Sequence, residues 1–133
     1  MNKKFCQLAP DLTICRIING MWQVAGGHGH IDHESAIGDM VEYHYSGFTT
    51  WDLTDIYGPA EDFIGDFRCR LLGLKGKEEL DRIQGLTKWV PQPGRITRTI
   101  VNENIERSLR RMSVSSLDLL PGGIITISIT WTH

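Results

Sequence analysis

Short apolar runs alternate along the chain with windows of helical periodicity. The apolar runs cover residues 14–22, 48–53 and 83–90, and a fourth begins near Leu117. Short apolar runs bounded by turn residues favour buried strands, and apolar positions three to four residues apart favour helices that cover them. The runs begin about 34 to 35 residues apart, a spacing typical of β/α units in a parallel sheet with right-handed crossovers.

Three helical windows lie between these runs. The first follows Asp32, whose side chain can cap a helix, and stops at Gly47. The second starts at Pro59, a residue tolerated in a first helical turn, and gives way after Gly73 to a loop. The third runs from about residue 99 to 112. The inward-facing positions are Ala36, Ile37, Met40 and Val41 in the first window, Phe63, Ile64, Phe67 and Leu71 in the second, and Val101, Ile105, Leu109 and Met112 in the third.

The order of elements predicts an α/β fold. A turn at Pro10 and Asp11 also predicts a small N-terminal β-hairpin. A closed (β/α)₈ barrel needs eight strands and about 250 residues, so this chain supplies about four β/α units, a partial TIM barrel. On counting alone, an open doubly wound sheet remains an alternative.

Composition excludes several classes of protein. The 133 residues are 41% hydrophobic and 23% charged, values typical of a globular domain. The net charge of -2 gives no field that would gather nucleic acid or an anionic membrane. No segment approaches the ~20 apolar residues of a membrane span, and the start does not resemble a signal peptide. The odd set Cys6, Cys15 and Cys69 favours a reducing compartment, so we expect a cytoplasmic protein.

Two clusters of residues suggest a metal site and a phosphate site, but the residues around them do not favour either interpretation. Histidines 28, 30 and 33 have no carboxylate or cysteine suitably placed to complete a metal site, so we expect a polar loop and no metal. A second cluster, of arginines, lies in the third helical window and favours a solvated helix face over a phosphate site. These arginines are Arg107, Arg110 and Arg111.

Three residues at predicted strand ends can form a carbonyl-reducing site. Asp52 ends the second strand, Tyr57 lies in the loop after it, and Lys88 lies near the end of the third strand. A tyrosine hydroxyl, with an ordinary pKa of about 10, can donate a proton to a carbonyl oxygen when a lysine cation assists it. A carboxylate holds such a lysine charged and in place. The carboxyl ends of parallel strands share one face, so we expect these side chains to meet.

Several motifs in chain order show that the sequence resembles the aldo-keto reductase family. The resemblance extends over about residues 8–120, and the succession of motifs is far more specific than any one of them. The motifs are GMWQ at 20–23, GFTTWD at 47–52, DIYG at 55–58, TKWVP at 87–91, SLRRM at 108–112 and LDLL at 117–120.

The resemblance implies a (β/α)₈ barrel that reduces aldehydes or ketones to alcohols with NADPH. The family uses an Asp, Tyr, Lys and His set, and Asp52, Tyr57 and Lys88 match its first three positions. The implied cofactor is NADP and the implied substrate a small carbonyl compound. The residues implied to approach the nicotinamide are Gly20, Met21 and Trp22. The positions of Trp22 and Trp89 at predicted strand ends favour a substrate pocket and core packing equally.

The sequence departs from the family after Leu120. Gly123 stands where the pattern has its catalytic His, and residues 121–133 resemble a shifted reading frame or an unspliced junction. We therefore divide the chain into residues 1–120, the N-terminal half of a reductase-like barrel, and a divergent tail at 121–133. The expectation is an oxidoreductase fragment that is inactive because it lacks this His and the cofactor-phosphate loops. Two alternatives stay open: a non-catalytic binding or regulatory module that pairs through open sheet edges, and a gene-model or pseudogene fragment.

Overall fold

An antiparallel hairpin opens the part of the chain that the structure describes. The computed structural model describes residues 3–119. Strands β1 (Phe5–Ala9) and β2 (Leu12–Cys15) pair in antiparallel register. The hairpin predicted from the turn at Pro10 and Asp11 is thereby confirmed.

A parallel sheet follows the hairpin. Its strands are β3 (Asn19–Gly20), β4 (Thr50–Asp52), β5 (Gln84–Thr87) and β6 (Asp118–Leu119). They lie in the order β3-β4-β5-β6, and each pairs in parallel with the next along the chain. Neighbours in sequence are therefore neighbours in space, as in a barrel wall and unlike a doubly wound sheet, whose order reverses. The predicted α/β fold with a partial barrel is confirmed.

Helices connect the strands. A 3₁₀ helix (Trp22–Ala25) and α1 (His33–Tyr45) lie between β3 and β4. Helix α2 (Ala60–Lys75) and the short α3 (Lys77–Leu80) lie between β4 and β5. Helix α4 (Arg98–Met112) precedes β6. All three predicted helices are present.

Local capping explains where two of these helices begin. Asp32 accepts a hydrogen bond from the backbone N–H of Ser35 at 2.8 Å, and hydrogen bonding with the side chain and the backbone of Ser35 lowers the pKa of the Asp32 carboxyl. Thr97 caps α4 in the same way, accepting from the N–H of Ile100 at 3.3 Å. After α1 the chain turns through Gly47, whose φ of 93° suits glycine. The Asp32 cap and the stop at Gly47 match the prediction.

The core lies between the sheet and helices α1, α2 and α4. Glycines let these layers approach closely: a Cβ at Gly85 in β5 would lie 2.6 Å from Met112 Cε, and one at Gly65 in α2 would overlap the Arg111 carbonyl. Helices α2 and α4 therefore pack backbone against backbone at Gly65, and the Met112 side chain of α4 packs on the backbone of β5 at Gly85. The largest apolar side chains that are fully buried are Trp51, Phe67, Ile37, Leu53, Ile64, Leu71, Leu86 and Met112.

The single strand predicted over residues 14–22 is wrong. The segment divides between β2 and β3, and Ile17 between them is 62% exposed. The strand is interrupted because hydrogen bonds made by side chains replace the backbone hydrogen bonds between strands. The N–H of Cys15 donates to Thr50 Oγ1 at 2.8 Å, and the Asn19 amide donates to the carbonyls of Phe48 and Thr50, each at 3.1 Å.

Two further expectations need correction. Helix α2 does not stop at Gly73 but continues to Lys75, because Gly73 lies on an open face and Gly76, with φ 83°, ends the helix instead. In α4, Ser108 is buried, whereas Val101 and Leu109 are only partly buried. The inward face of α4 is thus rotated toward Ser108, where it meets α2.

The tail predicted to diverge, residues 121–133 with Gly123, lies outside the described residues. Of the part that is described, no helix is long and apolar enough to cross a membrane.

Candidate active site

Asp52 and Lys88 form an ion pair at the carboxyl ends of two adjacent strands. Asp52 is the last residue of β4 and Lys88 follows β5, with Leu86 opposite Asp52 in the register. Lys88 Nζ lies 2.5 Å from Asp52 Oδ1. The two side chains are 21% and 33% exposed, respectively, so a molecule arriving from solvent can reach them. The structure thus brings together two of the three residues predicted to be catalytic.

The loops after β4 and β5 are joined through Thr54 and Asp55. The carbonyl of Lys88 accepts from the N–H of Asp55 at 3.0 Å, and the buried Thr54 hydroxyl lies 3.0 Å from the same oxygen. Asp55 Oδ1 in turn accepts from the N–H of Val90 at 3.1 Å. These bonds fix the backbone on both sides of Lys88. The sequence analysis missed Thr54 and Asp55; their position directly after a strand was the one available signal.

Tyr57 lies at the centre of a tight turn in the loop after β4. Its N–H donates to the carbonyl of Thr54 at 3.1 Å, and its carbonyl accepts from the N–H of Ala60 at 3.0 Å. The partly buried ring packs against the edge of the core. Across residues 3–119 no side chain hydrogen-bonds the Tyr57 hydroxyl, which leaves it available to another molecule.

A buried ionic network lies beside this turn. Glu61 Oε1 accepts from the Thr87 hydroxyl at 2.8 Å, and Glu61 Oε2 lies 3.3 Å from Arg111 Nη1 without hydrogen-bond geometry. Burial opposes the charge on Arg111, but its hydrogen bond to Asp62 and the charges of Asp62, Glu61 and Asp55 prevail and raise the Arg111 pKa. The predicted solvated face is therefore wrong for Arg111, because α4 presents this residue to the start of α2.

Gly20 and Met21, predicted to approach a nicotinamide, lie beside Asp52. Gly20 pairs with Asp52 in the sheet, and a Cβ placed on it would meet nothing within 4 Å. The N–H of Met21 donates to the Asp52 carbonyl at 3.0 Å, while its side chain is 5% exposed and belongs to the core. The Met21 backbone therefore steadies the Asp52 strand end, and Gly20 leaves open space next to it.

The two tryptophans predicted to line a substrate pocket lie in different surroundings. Trp22 is 56% exposed and meets the His28 ring edge-on, with the ring centroids 4.8 Å apart. Trp89 is partly buried and lines a cleft of about 370 Å³. Asp55, Ile56 and the start of α4 line the same cleft. Trp89 thus borders a concave surface near Lys88, and Trp22 stands on an exposed segment.

Two of the three histidines predicted to lie in a polar loop, His28 and His33, have contacts of their own, and His33 lies in the first turn of α1 and not in a loop. His33 Nε2 lies 2.9 Å from Asp66 Oδ2, and its ring packs on Phe63 with the ring centroids 4.5 Å apart. In the described range 3–119, no group of three His, Cys, Asp or Glu side chains could hold a metal ion.

One family model matches most of the chain. The model of the aldo/keto reductase family matches residues 16–121. This range includes β3, the Asp52–Lys88 pair and the turn that carries Tyr57. A search of curated proteins found no match.

Solved structures show the same fold. Two structures of a protein from Pseudomonas aeruginosa, classed provisionally as an aldo-keto reductase, match with TM-scores of 0.63 and 0.64 at 17% identity. They cover 86% of this chain, which spans 44% and 45% of theirs. A Bombyx mori aldo-keto reductase in complex with NADP matches with a TM-score of 0.65 at 14% identity, over 85% of this chain and 35% of its own. The chain therefore spans less than half the length of these structures.

Proposed function

The chain belongs to the aldo/keto reductase family, and we propose that it carries the Asp52, Tyr57 and Lys88 part of a site for NADPH-dependent reduction of aldehydes or ketones to alcohols. The substrate is a small carbonyl compound. The family match and the NADP complex of the Bombyx mori structure support this reaction class.

The observation that carries the proposal is the Asp52–Lys88 pair. A lysine cation beside a tyrosine hydroxyl favours proton donation by that hydroxyl, and a carboxylate keeps the lysine charged. Here the pair lies at 2.5 Å between neighbouring strand ends, and hydrogen bonds fix the backbone on both sides of Lys88. A simple surface ion pair would not need such support. The arrangement is therefore better suited to a site that positions a proton donor.

The described residues fit the nicotinamide end of the cofactor. Open space adjoins Asp52 at Gly20, and Trp22 offers an exposed aromatic face on the same segment. NADPH supplies the hydride in this chemistry. Gly20, Met21 and Trp22 are the residues we assign to it; they carry no charge, so they offer no ionic hold on its phosphates.

The proton-transfer role falls to residues of this chain. Tyr57 donates its hydroxyl proton to the carbonyl oxygen of the substrate, while the Lys88 ammonium stabilises the negative charge that the tyrosine acquires. Asp52 holds that ammonium in place. Trp89, which borders the cleft near Lys88, lines the substrate's approach together with Trp22. Orientation of the carbonyl would ordinarily fall also to the family's His.

We propose further that the 133-residue chain does not turn over substrate by itself. Gly123 stands at the position of the family's His, and glycine has no side chain to orient a carbonyl. The assigned cofactor residues add no charged contact. Residues 1–120 then form the reductase-like unit and residues 121–133 a separate tail. Location in the cytoplasm is part of this proposal, supported by the free state of all three cysteines.

A second candidate function is pairing with another copy of the chain or with a related barrel. Strands β3 and β6 are the outer strands of the four-stranded sheet in the described part of the chain. Unpaired strand edges are templates for pairing with another chain. Such pairing would supply the strands that a barrel wall needs, and would make the chain a binding module.

One sample of the purified chain tests both proposals. Light scattering gives its mass, NADPH fluorescence titration gives cofactor binding, and absorbance at 340 nm with a panel of aldehydes and ketones gives turnover. A monomer without turnover supports the proposal that the chain is inactive by itself. A defined dimer that binds NADPH and reduces a carbonyl compound contradicts that proposal.

Two matched variants then test the catalytic assignment. If turnover is found, Tyr57→Phe and Lys88→Met should abolish it, whereas Lys77→Met on an exposed helix should not change it. Undiminished turnover in Tyr57→Phe would contradict the role of Tyr57.

A further inference from the structure

Glu61 is a charged residue buried at the start of α2. Its side chain is 1% exposed, and burial of a carboxylate is costly unless partners compensate for it. The Thr87 hydroxyl, one residue before Lys88, donates to Glu61 Oε1 at 2.8 Å. The chain thus places a buried negative charge directly behind the strand end that carries Lys88.

Arg111 connects this buried charge to the turn that carries Tyr57. Its Nη1 lies 3.3 Å from Glu61 Oε2, and its Nε and Nη2 donate to Asp62 Oδ2 at 3.1 and 2.9 Å. Nη2 also donates to the carbonyl of Gly58 at 2.5 Å. A guanidinium is a rigid fork of five donors, so one side chain can donate to Asp62 and to the Gly58 carbonyl while its charge lies beside Glu61.

The Gly58 carbonyl is a sensitive point at which to hold this turn. Gly58 follows Tyr57 directly and has φ 51°; a Cβ at that position would lie 3.6 Å from Ala25 Cα. The turn is therefore confined between the 3₁₀ helix on one side and Arg111 on the other. The Gly58 carbonyl belongs to the peptide between Gly58 and Pro59, so holding it limits how far the turn can move one residue after Tyr57.

We infer that Arg111 is a positioning residue: through the Gly58 carbonyl and the Glu61–Thr87 bridge it fixes the turn of Tyr57 relative to the strand end of Lys88. The inference rests on the proposed function, since this alignment matters only if Tyr57 and Lys88 act together. It gives Arg111 a part in the site although it lies on α4, outside the strand-end loops.

The test follows Tyr57 directly and needs neither NADPH nor turnover. In the full chain, Tyr43→Phe and Tyr45→Phe leave Tyr57 as the one tyrosine. Incorporation of 3-fluorotyrosine then gives a single ¹⁹F signal that reports the surroundings of the Tyr57 ring. Amide hydrogen exchange over residues 55–60 reports the turn, and denaturant unfolding reports global stability.

Arg111→Lys separates positioning from charge compensation. An ammonium can still neutralise Glu61 and Asp62, but it lacks the fork that also reaches the Gly58 carbonyl. We expect a shifted or broadened ¹⁹F signal and about tenfold faster exchange over residues 55–60, with exchange in α1 unchanged. Arg110→Lys on the exposed face, where the pair with Glu106 spans 4.0 Å, is the matched control and should change neither.

Asp62→Asn provides a second variant that keeps both Arg111 and Glu61. It removes the charge that directs Nε and Nη2, so a smaller change of the same kind is expected in the ¹⁹F signal and in exchange. If Arg111→Lys and Asp62→Asn leave the Tyr57 signal and the exchange of residues 55–60 as in the parent, Arg111 compensates charge only and the inference is overturned. Because no readout depends on catalysis, an inactive chain does not affect this result.

Discussion

The strand-end region around Asp52 and Lys88 differs sharply from the segment of residues 16–31 that precedes α1. At the strand ends, Thr54, Asp55 and Val90 join the two loops through backbone and side-chain hydrogen bonds. In residues 16–31, by contrast, only Met21 is buried, although the segment carries the residues assigned to cofactor and substrate.

This difference separates two parts of the proposed reductase site. Of the groups proposed to move a proton, Asp52 and Lys88 pair at adjacent strand ends whose loops are joined by the chain's own contacts. Among the groups assigned to a cofactor, Met21 belongs to the core, whereas Gly20 adjoins open space and Trp22 is 56% exposed. The groups of the proposed proton transfer therefore lie where hydrogen bonds fix the backbone. The residues assigned to the cofactor lie on a more exposed segment.

Among changes aimed at the strand-end region, the largest effect should come from separating α2 and α4, the helices that support it. Gly65→Ala would place a Cβ against the backbone carbonyl of Arg111, which cannot move aside as a side chain can. We expect a loss of about 3 kcal/mol in the free energy of unfolding, measured with urea. Gly73→Ala in the same helix meets nothing within 4 Å and should stabilise the chain by up to about 1 kcal/mol. Equal effects of the two substitutions would contradict the close packing.

A smaller loss in the free energy of unfolding is expected when the hydrogen bond between Thr87 and Glu61 is removed. Thr87→Val keeps the shape of the side chain but removes the hydroxyl that donates to the buried Glu61 at 2.8 Å. Loss of a hydrogen bond to a buried charge should cost about 2 kcal/mol in urea unfolding. Thr13→Val, at an exposed position of β2, is the control and should stay within about 0.5 kcal/mol. A Thr87→Val chain as stable as the control would show that Glu61 does not need this donor.

The exposed segment should tolerate a change that a core could not. Trp22→Ala removes a large side chain, yet that side chain is 56% exposed and its ring contacts the ring of His28. We expect a change of no more than about 0.5 kcal/mol in unfolding free energy. Trp51→Ala, at 2% exposure, is the contrasting variant and should cost about 3 kcal/mol or more. A large loss in Trp22→Ala would remove the distinction between the two regions.

The smallest effect concerns a contact outside both regions, between α1 and α3. The hydrogen bond from His44 at 2.7 Å, aided by Arg82, lowers the Glu79 pKa despite the opposing effect of burial. A lowered folded pKa stabilises the chain above the ordinary value of 4.5, and the contribution is lost as pH falls through the lowered pKa. Glu79→Gln should therefore flatten the decline of stability below about pH 5, whereas Glu78→Gln should not. Parallel pH profiles for parent and Glu79→Gln would refute this.

Local patterns predicted the parts of the structure that depend on neighbours in sequence. The Asp32 cap, the turn at Gly47 and the order of strands and helices each follow from residues a few positions apart. The strand predicted over residues 14–22 was wrong because an apolar run does not reveal that Thr50 and Asn19 side chains replace ladder bonds there.

Contacts between residues far apart in the sequence have no comparable local pattern. The Asp52–Lys88 pair could be expected because parallel strand ends share a face. The supporting bonds of Thr54 and Asp55, and the burial of Arg111 against Glu61, depend on how loops and helices meet after folding. An arginine on a helix has no periodic signature of such a role, and Arg111 was therefore assigned to a solvated face.

Amide hydrogen exchange of the full chain, resolved by residue, gives the most direct test. It shows whether hydrogen bonds protect the strand-end region more strongly than the segment before α1. The N–H groups of Leu53, Asp55 and Val90 donate to Leu86, Lys88 and Asp55, respectively. We predict that these amides exchange at least about tenfold more slowly than those of residues 26–30. Equal rates in the two regions, or slower exchange in residues 26–30, would contradict the account.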